Sequence, residues 1–195
     1  TPPPSPLPAR ARILLPGIAS AAWEHPADRA ALNTLKKVPG LDVAIGYVFG
    51  QTNERALRLL FLASSVRASE RQFPRLYALH REACRVFGIE SPPELFVVQD
   101  PRLNAGAVGW RQPFITVNSS VVESLSDDEL ACILGHELGH VLSGHVLYRT
   151  VLFVLLRTGF RVGVLPLTAL VLLGLQAALL EWSRKAELSA DRAGL

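Results

Sequence analysis

His136-Glu137-Leu138-Gly139-His140 is the stretch on which the reading of this chain turns. On an α-helix His136 and His140 stand one turn apart on one face, so both imidazoles can reach a single metal ion. Glu137, the next residue along, sits where its carboxylate can polarise a water held at that metal. Zinc accepts imidazole nitrogen and carboxylate oxygen in a tetrahedral site, and a catalytic zinc keeps one position open for water. Two histidines therefore call for a third protein ligand. An amphipathic helix that carries two His and one Glu with no metal is the plain alternative.

The flanks of the motif support a helix. Ser126-Asp127-Asp128-Glu129 has the form of a capping box, with acidic residues where the helix dipole is positive. Leu130, Ile133, Leu134, Leu138, Val141 and Leu142 recur at helical spacing and define an inward face. Gly135 and Gly139 each cost roughly 1 kcal/mol relative to Ala in a helix, so they imply a close approach to this backbone beside the metal.

Further along, Glu187 and Asp191 are four residues apart within 183–192 and share a helix face. One of the two can complete the metal's ligands while the other accepts a hydrogen bond from a ligating imidazole. The alternative is a solvated, charged helix end in which both pair with Arg184, Lys185 or Arg192. Glu181 is the only other carboxylate downstream of His140, and a two-His site needs a further anion.

His136-Glu137-x-x-His140 followed by Glu187-x-x-x-Asp191 resembles the gluzincin peptidases of the HtpX and type 1 CAAX prenyl endopeptidase family, whose small soluble relatives are the minigluzincins. Asn104-Ala105-Gly106-Ala107 resembles that family's edge-strand segment, and Leu125-Ser126-Asp127-Asp128-Glu129-Leu130 its lead into the metal helix. The resemblance covers approximately residues 94–194. It implies a zincin-like fold and one zinc ion held by His136, His140 and Glu187. It also implies Glu137 as general base and acid, Asp191 as hydrogen-bond partner of a ligand His, and an edge strand at Asn104, Ala105, Gly106 and Ala107 that pairs with an extended substrate. Family members continue to a His-containing segment that helps hold the transition-state oxyanion. This sequence stops at Leu195, four residues after Asp191, and contains no Met. It is therefore read as an internal piece of a longer protein, incomplete at its C-terminus, and full activity of the piece alone is not expected.

The expected fold class is α+β: mostly helical, with a small sheet beside the HExxH helix and a long apolar helical hairpin. Residues 1–24 open with Thr1-Pro2-Pro3-Pro4-Ser5-Pro6 and read as a proline-rich tail or linker, leaving 25–195 as the metallopeptidase domain. The apolar stretch at 13–15 is too short for a signal peptide, and Pro16 interrupts it. His25-Pro26-Ala27-Asp28 reads as a helix entry, followed by helix to 37 and a break at Val38-Pro39-Gly40. Residues 54–66 and 73–86 read as amphipathic helices backing the metal helix. Residues 95–98 and 114–117 read as short strands, with Gly109-Trp110-Arg111-Gln112-Pro113 as the turn before the second. Trp110 either lines a substrate pocket or folds over the core. His25, His80 and His145 lack ligand partners at useful spacing, and His145, five residues after His140, points away from the ligand face. Each reads as a surface or core residue.

Twenty basic and 17 acidic groups leave a net charge of +3, and no basic-aromatic array of the kind that binds nucleic acid is present. Arg149, Arg157 and Arg161 form the one local basic cluster without acidic neighbours. Cys84 and Cys132 are the only cysteines, a usage that fits a reducing compartment. Cys132 lies one turn before His136; with three ligands already named, it reads as a small buried apolar residue.

A hydrophobic content of 49 % is high enough to raise the question of a membrane. Residues 162–180 are free of formal charge and, as a helix, would cover about 28 Å, close to a bilayer core. A single crossing there would separate His140 from Glu187, so one shared metal demands an even number of crossings. The economical solution is a hairpin. The metal helix runs out to about Leu156, turns at Arg157-Thr158-Gly159-Phe160-Arg161, and returns through 162–180. The expectation is a membrane-associated protein contacting lipid through 146–180, its site facing the cytoplasm; the alternative is a soluble cytoplasmic hairpin.

Three functional classes stand: a zinc endopeptidase acting on peptide or protein, with membrane or misfolded substrates suggested by the resemblance; another HExxH hydrolase; and a zinc-bound, non-catalytic interaction module. A deformylase-like hydrolase would need a Cys-bearing ligand motif upstream, which Cys84 does not supply.

Overall fold

The computed structural model describes residues 13–15, 17–51, 54–158 and 166–195. A short 3-10 turn at Ser20–Ala22 leads into α1 (Pro26–Leu35), α2 (Leu41–Gln51) and α3 (Glu54–Ser64). Then follow β1 (Ser65–Arg67), α4 (Pro74–Val86), β2 (Leu95–Val98), β3 (Ala105–Val108), β4 (Phe114–Asn118) and α5 (Ser119–Ser124). The chain ends with α6 (Asp127–Leu142), α7 (His145–Thr158) and α8 (Pro166–Gly194). This is an α+β molecule. The four strands form one sheet in the order β1-β2-β4-β3, with β2 and β4 parallel and the outer pairs antiparallel.

Two apolar clusters hold these elements. The first lies between the sheet, α4 and α6, and includes Leu76, Leu95, Ile115, Val117, Leu130, Leu134 and Leu138. The second is purely helical and joins Leu35, Leu41, Val151, Leu175, Leu179 and Trp182 from α1, α2, α7 and α8. The chain enters the first cluster before residue 25, since Trp23 is buried in it and the Leu15 N–H donates to the Val86 carbonyl at 2.8 Å.

The capping box is present: the Ser126 side chain accepts from the Glu129 N–H, and the Glu129 carboxylate accepts from the Ser126 N–H at 2.8 Å. α4 begins at Pro74, with Phe73 in the left-handed region at φ 56°.

Several expectations are corrected. α3 ends at Ser64, and Val66 belongs to β1, which continues the sheet beyond β2. Among the described residues α3 packs chiefly on β1 and β2, with no comparable packing on the metal helix. α2 follows the break at Gly40, over residues for which the sequence pattern had suggested no particular element. The metal helix stops at Leu142 and does not run on to Leu156. Gly144 adopts φ +70°, a helix-terminating conformation open to glycine, and α7 leaves at 94° to α6. Cys132 is exposed, because its face of α6 looks into the clefts and away from the apolar cluster. Most of the expected hairpin tip, Gly159-Phe160-Arg161, lies outside the described residues, as do residues 1–12 of the proline-rich stretch.

Among the described residues no single helix is long and apolar enough to cross a membrane. The bent α6–α7 pair meets the length and composition required, yet Leu130, Leu134, Leu138, Val146 and Val151 on it are buried in the protein.

Candidate metal centre

α6 presents His136 and His140 one turn apart toward α8, which runs alongside it. The close approach has a visible cause. A Cβ built on Gly139 would stand 2.7 Å from the Ala193 Cβ, and one on Gly135 would stand 3.2 Å from the Gly194 Cα. With no side chain at these two positions, the last turns of α8 lie directly on the α6 backbone. Glu187 and Asp191 are thereby delivered to the histidines.

His136 Nε2 lies 3.1 Å from Glu187 Oε2, His140 Nε2 lies 3.5 Å from Glu187 Oε1, and the two Nε2 atoms are 3.2 Å apart. These three residues form the one group of His, Cys, Asp and Glu among those described whose donor atoms could hold a metal ion. His136 Nδ1 faces Asp191 Oδ1 at 2.9 Å, and since a carboxylate only accepts, the ring proton sits there. His136 Nε2 is left with its lone pair toward Glu187 and His140. Acceptor atoms this close call for a shared proton or a cation among them, and the Arg149 guanidinium lies against two of them, Glu187 Oε1 and His140 Nε2.

Burial brings His140 down to about 4, against the pull of Glu187, so its imidazole is neutral and available as a ligand. His136 is shifted upward: burial opposes this, but Glu187, Glu137 and Asp191 outweigh it. Glu187 is held well below the usual carboxylate range, burial being overcome by the two imidazoles and Arg149. Glu137 moves the other way. It is buried, and burial raises its pKa against the opposing influence of Arg149, His136 and the Ala107 backbone amide. Its Oε2 has no hydrogen-bond partner among the described residues.

A cleft of about 400 Å³ opens beside this group, lined by Asn104, Ala105, His136, Glu137, Arg149, Glu187 and Asp191 among others. β3 forms its wall. Asn104 and Ala105 reach the cleft, while Gly106 and Ala107 line a neighbouring cavity of about 460 Å³ together with Asn104, Ala105 and Arg149. β3 is an edge strand paired with β4 alone. Because the Ala107 amide bonds Glu137, alternation turns the polar backbone groups of Ala105 to the same side. Trp110 is not among the residues lining these cavities.

Two residues of the centre escaped the sequence reading. Arg149, assigned there to a basic cluster, donates from Nη1 to Glu187 Oε1 at 2.9 Å and also contacts His140 Nε2. His145 does not point away from the ligand face: its Nδ1 lies 3.0 Å from His140 Nδ1. Both sit on α7, past the bend at Gly144, so helical-wheel counting from His140 could not find them.

The sequence is similar to those of known proteins. The family model described as Peptidase family M48 matches residues 70–195. The chain is 34 % identical over 175 residues to the plastoglobule-localized metallopeptidase 48, chloroplastic, of Arabidopsis thaliana, covering 89 % of this chain and 50 % of that protein. It is 34 % identical over 100 residues to a protease HtpX homolog of Tropheryma whipplei, covering 49 % of this chain and 34 % of the relative. A protease HtpX homolog of Helicobacter pylori is 37 % identical over 51 residues, 25 % of this chain and 16 % of the relative. The chain thus spans half the length of the plant relative and a smaller share of the bacterial ones. No solved structure matches it. With the family model extending over three of the four strands, the histidine helix and the glutamate helix together, the chain belongs to peptidase family M48.

Proposed function

We propose that the chain is the catalytic unit of a zinc metalloendopeptidase with a zincin-like fold, its metallopeptidase unit spanning 25–195 with the preceding Trp23 packed into its core. The observation that carries this reading is the convergence of His136 Nε2, His140 Nε2 and the Glu187 carboxylate. Zinc bonds to nitrogen and oxygen of about 2.0–2.2 Å generate tetrahedral edges of about 3.3–3.6 Å. The two Nε2 atoms are 3.2 Å apart, and each lies near a different oxygen of Glu187, at 3.1 Å (Oε2, from His136) and 3.5 Å (Oε1, from His140), close to that spacing. His136, His140 and Glu187 would hold the ion, and Asp191 would keep the His136 ring turned toward it. The unpartnered Oε2 of Glu137 also fits a site built to receive a further group.

When bound, zinc would acidify a water molecule and polarise the scissile carbonyl. Glu137 takes the proton of the attacking water and returns it to the departing amine. Its raised pKa suits a group that must hold the proton between the two steps. Ala105 and its neighbours on β3 offer main-chain groups to an extended peptide, which gives affinity with little sequence selectivity. The Ala107 amide, engaged with Glu137, orients the base and leaves substrate pairing to the Asn104–Ala105 end.

Membrane association is part of this proposal, with contact through 146–180 and the site on the cytoplasmic side. It is supported by apolar side chains left exposed along α7 and α8, namely Phe153, Leu156, Leu170, Val171 and Leu173. Carbonate extraction of the full-length protein tests it, and release into the soluble fraction counts against insertion.

The catalytic assignment is tested by Glu137→Gln, assayed on a casein-type substrate with zinc content measured in parallel. The expected result is unchanged zinc with hydrolysis reduced about 10²–10⁴-fold. Hydrolysis at the parental rate would remove Glu137 from the mechanism. A parent that holds zinc and cleaves no peptide would favour the non-catalytic module.

A further inference from the structure

His140 is tied to a chain of buried groups reaching back to α1. His145 Nδ1 lies 3.0 Å from His140 Nδ1, and His145 Nε2 lies 3.0 Å from Asp28 Oδ2. Asp28, His145 and Ser189 are all buried, with Asp28 and Ser189 fully so. Asp28 comes from the first turn of α1, 112 residues before His140 (140 − 28). Nothing in the sequence pattern links the two.

With one proton on each imidazole, hydrogen-bond polarity sets which way this chain runs. The Trp182 indole can only donate, and its Nε1–H reaches Asp28 Oδ1 at 3.1 Å. Ser189 Oγ accepts the His25 N–H at 2.9 Å, and its single proton goes to Asp28 Oδ2 at 2.6 Å. Asp28 is therefore an acceptor on every side, an ionised carboxylate with no proton to give. His145 must then donate from Nε2 toward Asp28, which in a singly protonated ring leaves its Nδ1 bare. A bare His145 Nδ1 accepts from His140 Nδ1–H. The one proton of the neutral His140 ring is thus held away from the site, and its Nε2 lone pair points at Glu187 and His136.

We propose that Asp28 and His145 form a proton-ordering relay that fixes His140 in the tautomer able to bind zinc. They are positioning residues, and the inference rests on the metal reading above. The relay also explains why a fully buried aspartate is tolerated beneath the centre. It has three donors, supplied by α7 (His145) and α8 (Trp182 and Ser189), so the relay clamps α1 to both helices as well as orienting the ligand.

Asp28→Asn is the discriminating variant, being isosteric. Trp182 keeps the amide oxygen on its own side, so the NH₂ group faces His145. His145 Nε2 must now accept, its proton moves to Nδ1, and His140 is forced to carry its proton on Nε2, toward the metal. Zinc affinity of the full-length chain is measured by competition with a chromophoric chelator, with circular dichroism of the metal-free form recorded alongside. Asp28→Asn is expected to weaken zinc binding about 10–100-fold. His145→Gln, whose carbonyl can still accept from His140, falls between the parent and His145→Leu. A folded Asp28→Asn that binds zinc within about twofold of the parent overturns the relay, as does equal loss in His145→Gln and His145→Leu. Long-range ¹H–¹⁵N spectra of the zinc-loaded parent need no variant. A proton on His145 Nε2 is expected, and one on Nδ1 refutes the relay. Failure of the metal reading itself looks different, because the parent chain then takes up no zinc.

Discussion

The two apolar clusters differ in how their elements come together, and the metal centre lies at the seam between them. The sheet-side cluster is built mainly from neighbours in sequence, with Trp23 added from the start of the chain: α4, β2, β3, β4, α5 and α6 follow one another between Pro74 and Leu142. The helical cluster is built from distant pieces, with Leu35 and Leu41 near the start packed against Leu175, Leu179 and Trp182 near the end. His136, Glu137 and His140 belong to the first region. Glu187, Asp191, Arg149 and His145 belong to the second. A local region supplies the motif, and a long-range one completes it.

Removing a ligand from the first region has the largest expected effect. His140→Ala leaves His136 and Glu187 without a third partner, and both stoichiometric zinc and peptide hydrolysis are expected to vanish. Metal analysis beside the casein-type assay checks this. Retained zinc would remove His140 from the ligand set.

Truncations within each cluster come next. Leu134→Ala on the sheet side and Leu179→Ala on the helical side each empty a fully buried position and should cost about 2–5 kcal/mol. Because α8 packs along α6, both variants should unfold in a single transition in a denaturant titration. Two resolved transitions would show that the clusters fold independently.

The contrast between the regions also governs what the sequence could reveal. β2 is where the apolar run at 95–98 places it, and the capping box at Ser126 and Glu129 is formed as its residues suggest. Period and caps are local signals, and local signals describe the first region well. Glu187 and Asp191 were visible because their four-residue spacing is local too. The break at Gly144 was not weighed, although glycine after a helix is a stop signal, and His145 and Arg149 were lost with it. Asp28 had no local signature: its partners His145, Trp182 and Ser189 lie more than a hundred residues away, and only packing brings them together.

Gly139 sharpens the comparison, because the seam depends on it. Gly139→Ala would gain roughly 1 kcal/mol of helix propensity. Its Cβ would meet the Ala193 Cβ at 2.7 Å, and neither atom belongs to a flexible side chain. α8 must then shift away, at a net cost of about 1–3 kcal/mol. Thermal unfolding together with zinc affinity checks this, and both should fall. An unchanged zinc affinity would show that the centre tolerates displacement of α8.

The smallest effect concerns acid. Burial, aided by neighbouring Arg81, lowers His80 on α4 from 6.5 to about 4. The unfolded chain takes up this proton as the pH falls through 6.5, the folded chain only near 4. The stability present above pH 6.5 is therefore lost progressively as the pH falls toward 4, by about 1 kcal/mol at pH 5.5. His80→Leu should remove this part of the slope in denaturant titrations between those two values. An unaltered slope would place the acid sensitivity elsewhere.

The central claim, that two regions remote in sequence share one metal ion, is tested most directly by zinc content. The full-length protein and its Glu187→Ala variant are purified identically and their zinc is counted by mass spectrometry. The account predicts about one zinc per parent chain and less than about a tenth of that in the variant. Equal, stoichiometric zinc in both would contradict it.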